Sequence, residues 1–172
     1  MVEWTTKWYL SGSKGMLLLT GEYEGTLDEK NRLFVSNKIR NQIDSDEHGS
    51  SFYLTLGVNG VLCLYPEKNF QQIALAESPG TVAPDEAVVF ERMSFALANK
   101  VELDRQGRLL VSDRIRKRAQ LGNSIMLVGV RDHVELWNRQ DWERYLSDHF
   151  SQFQQQSMQA RQTVLQKQSK EL

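Results

Sequence analysis

Residues 27–40 read LDEKNRLFVSNKIR, and a closely similar stretch, LDRQGRLLVSDRIR, returns at residues 103–116. Leu, Asp, Arg, Leu, Val, Ser, Ile and Arg occupy matching places in the two stretches. A looser second block follows each of them in the same order, as GVNGVLCLY at 57–65 and GVRDHVELW at 129–137. Blocks that recur in the same order are typical of an internal repeat. We therefore interpret the chain as a tandem duplication.

Each copy begins with a predicted tight turn between two short strands. Asp28 and Asp104 stand at the first turn position, where the Asp side chain can accept hydrogen bonds from nearby amides. Asn31 and Gly107 stand at the last position, and both residue types tolerate a positive φ. Apolar and polar residues alternate on both sides of each turn, which indicates strands.

A short helix and a hairpin follow each of these strands. Ser36 and Ser112 are predicted helix N-caps, since each directly precedes a helix-forming stretch. In the first copy, Asn-Gly at 59–60 between apolar strands predicts a two-residue hairpin turn. Arg-Asp at 131–132 is the weaker counterpart in the second copy, and its turn is predicted from the alignment of the repeats.

Each copy is predicted to end in a helix, and one more helix lies between the copies. Pro66 fits the first helical position in the first copy, and Asn138 is predicted to cap the last helix. The apolar spacing of residues 85–98 predicts the intervening helix. The predicted fold class is α+β, mainly β: a tandem pair of pseudo-twofold units with short helices and a C-terminal helix. Because units this small rarely bury enough surface alone, we expect them to interlock around a shared core.

The duplication also predicts how the chain is divided. Breaker residues in SPGTVAP at 78–84 mark a linker between the copies. The predicted segments are an N-terminal extension (1–15), a first unit (16–77), a linker and helix (78–98), a second unit (99–146) and a Gln-rich C-terminal tail (147–172).

The composition excludes several classes of protein. The chain has 172 residues, of which 40% are hydrophobic and 25% charged, as is typical of folded soluble proteins. No apolar run approaches the roughly 20 residues that span a bilayer. The single cysteine, Cys63, excludes an intramolecular disulfide framework and fits a reducing compartment. We expect a cytoplasmic protein with no membrane partner.

Positive charge is concentrated in the repeated element. Residues 28–40 hold four basic and two acidic side chains, and residues 104–118 hold six basic and two acidic ones. The two segments together carry +6, so the rest of the chain carries −7, since the whole chain carries −1. This distribution is expected of a phosphate-binding surface on an acidic body. The alternative is that these Arg-rich helices are ordinary solvated faces.

Each repeat carries an Asp-x-x-x-Arg pair on its turn, with Arg32 and Arg108 at equivalent positions. Paired arginines related by a pseudo-twofold axis suit the reading of a duplex, because an Arg fork binds phosphate or the O6/N7 edge of guanine. We predict DNA contacts by both arginines, and a turn-supporting role for Asp28 and Asp104. Four further cations are predicted to steer DNA and hold phosphate: Lys30, Lys38, Arg105 and Arg114.

Candidate catalytic or metal-binding groups are scattered. His48, His133 and His149 have no acidic or cysteine partner at metal-ligand spacing. Cys63 lies in an apolar strand without an adjacent activating base, which favours a buried structural thiol. Phosphate-binding and dinucleotide-binding glycine motifs are missing from the sequence. We therefore predict no enzyme activity, no metal site, no cofactor and no small-molecule substrate.

Several motifs, in this order, resemble the MraZ family of bacterial transcription factors. They are GEY at 21–23, LDEKNRL at 27–33, FYLTLG at 52–57, LCLYP at 62–66, VELD at 101–104, QGR at 106–108, LVGV at 127–130 and ELW at 135–137. The resemblance implies two swapped-hairpin units of the AbrB type per chain, assembled into homo-oligomeric rings of eight or twelve subunits. It also implies binding to double-stranded DNA, at short direct repeats upstream of the division and cell-wall gene cluster.

The sequence departs from the family pattern at two kinds of position. Asn31 stands where the family usually has glycine, and Asn tolerates the left-handed conformation best among other residues. Ser36 and Ser112 stand where the family usually has proline before the short helix. Serine is a suitable N-cap, so we expect both helices to begin there. Neither change removes a predicted DNA contact.

The resemblance implies that the two Asp-x-x-x-Arg turns contact DNA, here Asp28 with Arg32 and Asp104 with Arg108. The predicted function is a sequence-specific, nucleoid-associated transcriptional regulator. One alternative is an oligomeric protein-interaction module whose turns grip an acidic partner, and another is an antitoxin of the same fold. Salt-sensitive binding that depends on the repeat sequence distinguishes the regulator from the interaction module.

Overall fold

The computed structural model describes residues 17–57, 60–76 and 84–168. The predicted N-terminal extension and most of the predicted linker lie outside these residues. The eight strands of the described residues are β1 (Glu22–Thr26), β2 (Arg32–Phe34), β3 (Phe52–Leu56), β4 (Leu62–Pro66), β5 (Asn99–Val101), β6 (Arg108–Leu110), β7 (Ser124–Val130) and β8 (His133–Asn138). The six helices are α1 (Asn37–Arg40), α2 (Ser45–His48), α3 (Glu67–Ala76), α4 (Pro84–Leu97), α5 (Asp113–Arg118) and α6 (Arg139–Gln168).

Strands from the two copies are interleaved within one antiparallel sheet. Its order is β1-β7-β8-β4-β3-β5, and β2 pairs with β6 in a separate two-stranded ribbon. Exchanging each strand for its counterpart in the other copy reverses the sheet order and leaves every pairing intact. Neither copy therefore forms its sheet alone, which confirms the predicted α+β fold built from two interlocking units.

Two residue pairs mark the pseudo-twofold axis. In the ribbon, Leu33 of β2 lies opposite Leu109 of β6, which is its own counterpart in the repeat. In the sheet, Cys63 of β4 lies opposite Glu135 of β8, again a position and its counterpart. A pair that maps onto itself when the copies are exchanged lies on the axis, so the ribbon and the centre of the sheet share one axis.

The core lies between the ribbon, the short helices and one face of the sheet. Leu33 and Leu109 are fully buried, because alternate residues of a strand face opposite sides. The other buried core side chains come from both copies and include Val35, Ile39, Leu54, Leu62, Leu64, Val111, Ile115, Ile125, Leu127, Val134 and Leu136. The two units thus share a single apolar core, as the small size of each one predicts.

The predicted caps of the two short helices are confirmed. The Ser36 side chain accepts a hydrogen bond from the Lys38 amide at 3.2 Å. The Ser112 side chain accepts one from the Ile115 amide at 3.5 Å. Serine therefore begins both helices, as the sequence predicts.

Two other predicted helix starts are corrected. Pro66 is the last residue of β4, opposite Phe52, and α3 begins at Glu67. Asn138 directly precedes α6, but its Oδ1 atom accepts the Gly122 N–H at 2.7 Å instead of a helix amide. Its side-chain amide donates to the Gln120 carbonyl. Asn138 thereby ties the end of β8 to the loop before β7.

Helix α6 is longer than the sequence pattern indicates. Its 30 residues correspond to about 45 Å, and the Gln-rich stretch continues the helix. Its first turns are held against β1, because Trp142 donates to Glu22 at 2.6 Å and Arg139 pairs with Glu24 at 3.0 Å. Within the described residues, no helix combines the length and apolarity needed to cross a membrane.

The ribbon allows a matched test of the shared core. Leu33 is fully buried, whereas Leu110 on the same ribbon is 56% exposed. We expect Leu33→Ala to lower the free energy of unfolding by about 2–5 kcal/mol, because it leaves a cavity in the core. Leu110→Ala should change it by less than about 0.5 kcal/mol. Chemical denaturation measures both, and equal effects of the two substitutions would contradict the packing described here.

Candidate nucleic-acid interface

The first Asp–Arg turn is closed by a network centred on one carboxylate. Asp28 Oδ1 accepts the backbone amides of Lys30 and Arg32, both at 2.9 Å. Asp28 Oδ2 accepts Arg32 Nε at 2.7 Å and also lies 2.7 Å from Arg32 Nη2. The carboxylate thus shapes the turn and fixes the direction of the guanidinium at the same time.

The second turn repeats this geometry with different neighbours. Asp104 Oδ1 accepts the amides of Gln106 at 2.9 Å and Arg108 at 3.0 Å. Asp104 Oδ2 accepts Arg108 Nε at 2.8 Å and lies 2.7 Å from Nη2. Two turns with unlike intervening residues therefore adopt the same hydrogen-bond pattern, which depends on the Asp and Arg that they share.

These contacts lower the pKa of both carboxyl groups. The hydrogen bond from the Arg32 side chain lowers the pKa of Asp28 most, and the Arg32 backbone amide adds to it, so that the pKa falls to about 2. The same two contacts from Arg108 lower the pKa of Asp104 to about 2. Both carboxylates are therefore charged at neutral pH, and both arginines remain paired with them.

Each turn is held by the other copy. Val111 donates its backbone amide to the Asn31 carbonyl, and Val35 donates to the Gly107 carbonyl, each at 2.9 Å. The swap therefore places the first turn beside α5 and the second turn beside α1. Any cationic patch at one turn is built from both copies of the repeat.

The arginines at the ends of the short helices also act across the copies. Arg116 of α5 donates to the Asn31 side chain. Arg40 of α1 places its guanidinium beside Gly107, where an added Cβ would lie 2.7 Å from Arg40 Cζ. Arg40 also donates to the Val35 carbonyl at 3.1 Å. In the sequence these two arginines stand out only as part of the positive charge, whereas in the structure they support the turns.

Asn31 occupies the same turn position as Gly107 in the second copy. Its φ is 56°, and the φ of Gly107 is 77°, so both turns use the left-handed region. The Asn31 side chain gains partners that glycine lacks, because its Nδ2 donates to Asp113 at 2.6 Å and its Oδ1 accepts from Arg116. At the second turn a side chain in place of Gly107 would not fit, because Arg40 occupies the space where its Cβ would lie.

The outward face of the ribbon alternates charged and apolar side chains. Arg32 lies opposite Leu110, and Phe34 lies opposite Arg108. Phe34 is 47% exposed and Leu110 56% exposed. The two arginines thus occupy one diagonal of a small face, about 7 Å along the strands and about 5 Å across them. The two apolar side chains were not among the predicted site residues, although their alternation with buried residues along each strand indicates an outward face.

The four other predicted cations are exposed side chains on elements adjoining the ribbon. Lys30 and Arg105 lie in the turns, Lys38 lies in α1, and Arg114 lies in α5. Within the described residues, none of them forms a salt bridge. They are therefore free to pair with an external anion. The six predicted cations thus lie on the ribbon, in its two turns or in the short helices that follow its strands.

Comparison with known proteins identifies the family. The sequence profile of the MraZ protein family, described as antitoxin-like, matches the chain twice, over residues 18–89 and 94–165. The chain belongs to the MraZ family. The two matches also confirm the tandem repeat that the sequence predicts.

Several curated MraZ proteins are similar over most of this chain. A protein of Pediococcus pentosaceus, named transcriptional regulator MraZ, is 34% identical over 76% of this chain and 88% of its own length. A protein of the same name from Moorella thermoacetica is 34% identical over 80% of this chain and 92% of its own. Another protein of this name, from Lachnoclostridium phytofermentans, is 33% identical over 79% of this chain and 97% of its own length.

The duplicated turns provide an internal control for the Asp–Arg pairing. Replacing Arg32 by Gln should raise the pKa of Asp28 from about 2 towards the ordinary value of 3.8, while Asp104 keeps its pKa of about 2. Since the folded-state pKa is depressed, the pairing stabilises the fold above about pH 4 and loses this effect as the pH falls towards 2. Carboxyl-carbon NMR titration measures both groups. An unchanged Asp28 titration would show that Arg32 does not hold it.

Proposed function

We propose that this MraZ-family protein is a sequence-specific DNA-binding transcriptional regulator rather than an enzyme. The observation that carries the proposal is the pair of partly exposed Asp–Arg turns on one twofold ribbon, surrounded by unpaired cations. The names of the curated relatives support regulation of transcription. The positive charge of the repeats, on an otherwise acidic chain, supports an anionic polymer as the ligand.

Arg32 and Arg108 are suited to contact bases because they are oriented in advance. Each guanidinium uses Nε and Nη2 to bind its own aspartate. The remaining N–H groups of the fork can donate to guanine O6 and N7 or to phosphate oxygens. Because the aspartate fixes the side chain, less conformational entropy is lost on binding than for a free arginine.

Phosphate contacts come from the surrounding cations. Lys30 and Arg114 flank the first turn, and Lys38 and Arg105 flank the second, in accord with the swapped arrangement of the copies. These contacts position the ribbon on the duplex without specifying sequence. The acidic remainder of the chain keeps the net charge at −1, which limits non-specific attraction to DNA and favours binding at matching sites.

The proposed regulator acts as a homo-oligomeric ring of eight or twelve subunits in the nucleoid. Helix α4 exposes several large apolar side chains, which supports self-association through this helix. They are Val88, Val89, Phe90, Met93 and Phe95. Neighbouring subunits engage short direct repeats upstream of the division and cell-wall gene cluster. Such multivalent binding raises avidity by about 10²–10⁴ when the subunit spacing matches that of the repeats.

The arginine contacts are tested by binding to the DNA upstream of the protein's own gene. We expect Arg32→Ala or Arg108→Ala to weaken specific binding by about 1–3 kcal/mol per site and to relax sequence preference. Arg144→Ala is the matched control, because Arg144 is an exposed arginine of α6 away from the ribbon. Fluorescence anisotropy with the native and a scrambled duplex measures these effects.

Salt dependence separates base contacts from phosphate contacts. Lys38→Ala should weaken binding to both duplexes and reduce the slope of log affinity against log salt by about one unit. Full affinity in the Arg32→Ala and Arg108→Ala variants would contradict the proposed readout. Equal, weak binding of the wild-type oligomer to both duplexes would instead favour an acidic protein partner.

Self-association is tested through the apolar surface of α4. Val89 is 59% exposed in the single chain, so Val89→Glu should leave the subunit folded and reduce the oligomer to smaller species. Gln140→Glu adds the same charge at an exposed position of α6 and should keep the assembly intact. Light scattering after size-exclusion chromatography measures the mass. A Val89→Glu variant of wild-type mass would exclude this helix from the interface.

A further inference from the structure

Three potential metal ligands meet on the sheet face opposite the core. Cys63, His133 and Glu135 each offer one ligand atom, and these atoms all lie within 4.8 Å of one another. Cys63 lies directly across from Glu135, and His133 stands two residues before Glu135 on the same strand face. The sequence could not show this group, because β4 and β8 are distant along the chain and meet only through the swapped pairing.

Within the described residues the cluster occurs once, because the two copies differ there. Cys63 and Glu135 are counterparts in the repeat, and Val61 is the counterpart of His133. An exchange of copies would therefore replace the thiol by a carboxylate and the imidazole by an isopropyl group. The three side chains lie at the pseudo-twofold axis, on the opposite side of the sheet from the DNA-facing ribbon.

The spacing is close to that of a tetrahedral metal site. His133 Nε2 lies 3.7 Å from Glu135 Oε1. Ligands at about 2.0–2.3 Å from a tetrahedral Zn²⁺ ion are separated from one another by roughly 3.3–3.8 Å. Cys63 has room beside Gly57, where an added Cβ would lie only 2.6 Å from Sγ. The three ligand atoms lie within 4.8 Å of one another, so the Cys63 and Glu135 side chains must move closer together to bind one ion.

The surrounding groups orient the ligands as in known metal sites. Asp132 Oδ1 lies 2.9 Å from His133 Nδ1, so the carboxylate holds that ring nitrogen and directs Nε2 towards the other ligands. Trp137 donates to Glu135 Oε2 at 2.8 Å, which leaves Oε1 facing the cluster. The Tyr65 ring stacks on His133 with centroids 4.5 Å apart. Such carboxylate–histidine contacts are typical supports of metal-binding imidazoles.

We propose that Cys63, His133 and Glu135 bind one transition-metal ion of the Zn²⁺ class, with water as the fourth ligand. A thiolate, an imidazole and a carboxylate match the ligand preferences of Zn²⁺ and Co²⁺ and disfavour Mg²⁺ and Ca²⁺. The ion joins the two central strands of the sheet and thereby links the two copies at their axis. It therefore stabilises the fold from the side that DNA does not contact.

The test uses Co²⁺ as the probe and the full-length protein. Because Cys63 is the only cysteine in the chain, a thiolate-to-cobalt charge-transfer band can arise from this residue alone. We expect saturation at one Co²⁺ per chain, loss of the band on addition of Zn²⁺, and a Zn²⁺-dependent rise in Tm. Absence of the band from the folded wild-type protein would overturn the proposal.

Ligand variants identify the other two donors. His133→Gln and Glu135→Gln should each weaken Co²⁺ binding at least tenfold, and Cys63→Ser should abolish the charge-transfer band. His149→Gln, which changes an exposed histidine of α6, should bind as the wild type does. Circular dichroism checks that each variant is folded. If the buried Cys63→Ser variant does not fold, the substitutions at the partly exposed positions 133 and 135 still test the site. Wild-type affinity in folded His133→Gln protein would overturn the assignment.

Discussion

The pairing of β2 with β6 is the constraint on which the rest of the molecule depends. Each strand has only three residues, too few to be stable without its partner. The pair buries Leu33 against Leu109 on one side and presents Arg32 and Arg108 on the other. The same strand pairing therefore closes the core and exposes the two arginines, and it requires one strand from each copy.

The two copies share the geometry of their Asp–Arg turns. The same network is present in both, because the carboxylate shapes the turn and orients the arginine. The residues that support the two turns differ. Asn31 accepts a hydrogen bond from Arg116, whereas Gly107 lacks a side chain and the Arg40 guanidinium packs beside it. Duplication within one chain permits such differences, which a symmetric dimer of identical units could not have.

Local features were predictable from the sequence, and contacts across the copies were not. The repeat, both turns and the serine caps follow from residue types at short spacing. The swapped pairing entered through the family resemblance, but the support of Asn31 by Arg116 depends on strand order that no local pattern encodes. The contact of Cys63 with His133 also depends on this strand order and could not be predicted from local patterns. Pro66 was misplaced by one residue, because a proline suits a strand end as well as a helix start.

Hydrogen–deuterium exchange with the native upstream duplex is the most direct test of DNA binding at the twofold ribbon. If DNA lies there, both Asp–Arg turns, residues 28–32 and 104–108, should be protected together with the start of α1 and α5. A scrambled duplex should protect these segments weakly at moderate salt. Protection confined to one turn, or to the opposite sheet face around Trp137 and α6, would show that DNA does not bind across the ribbon.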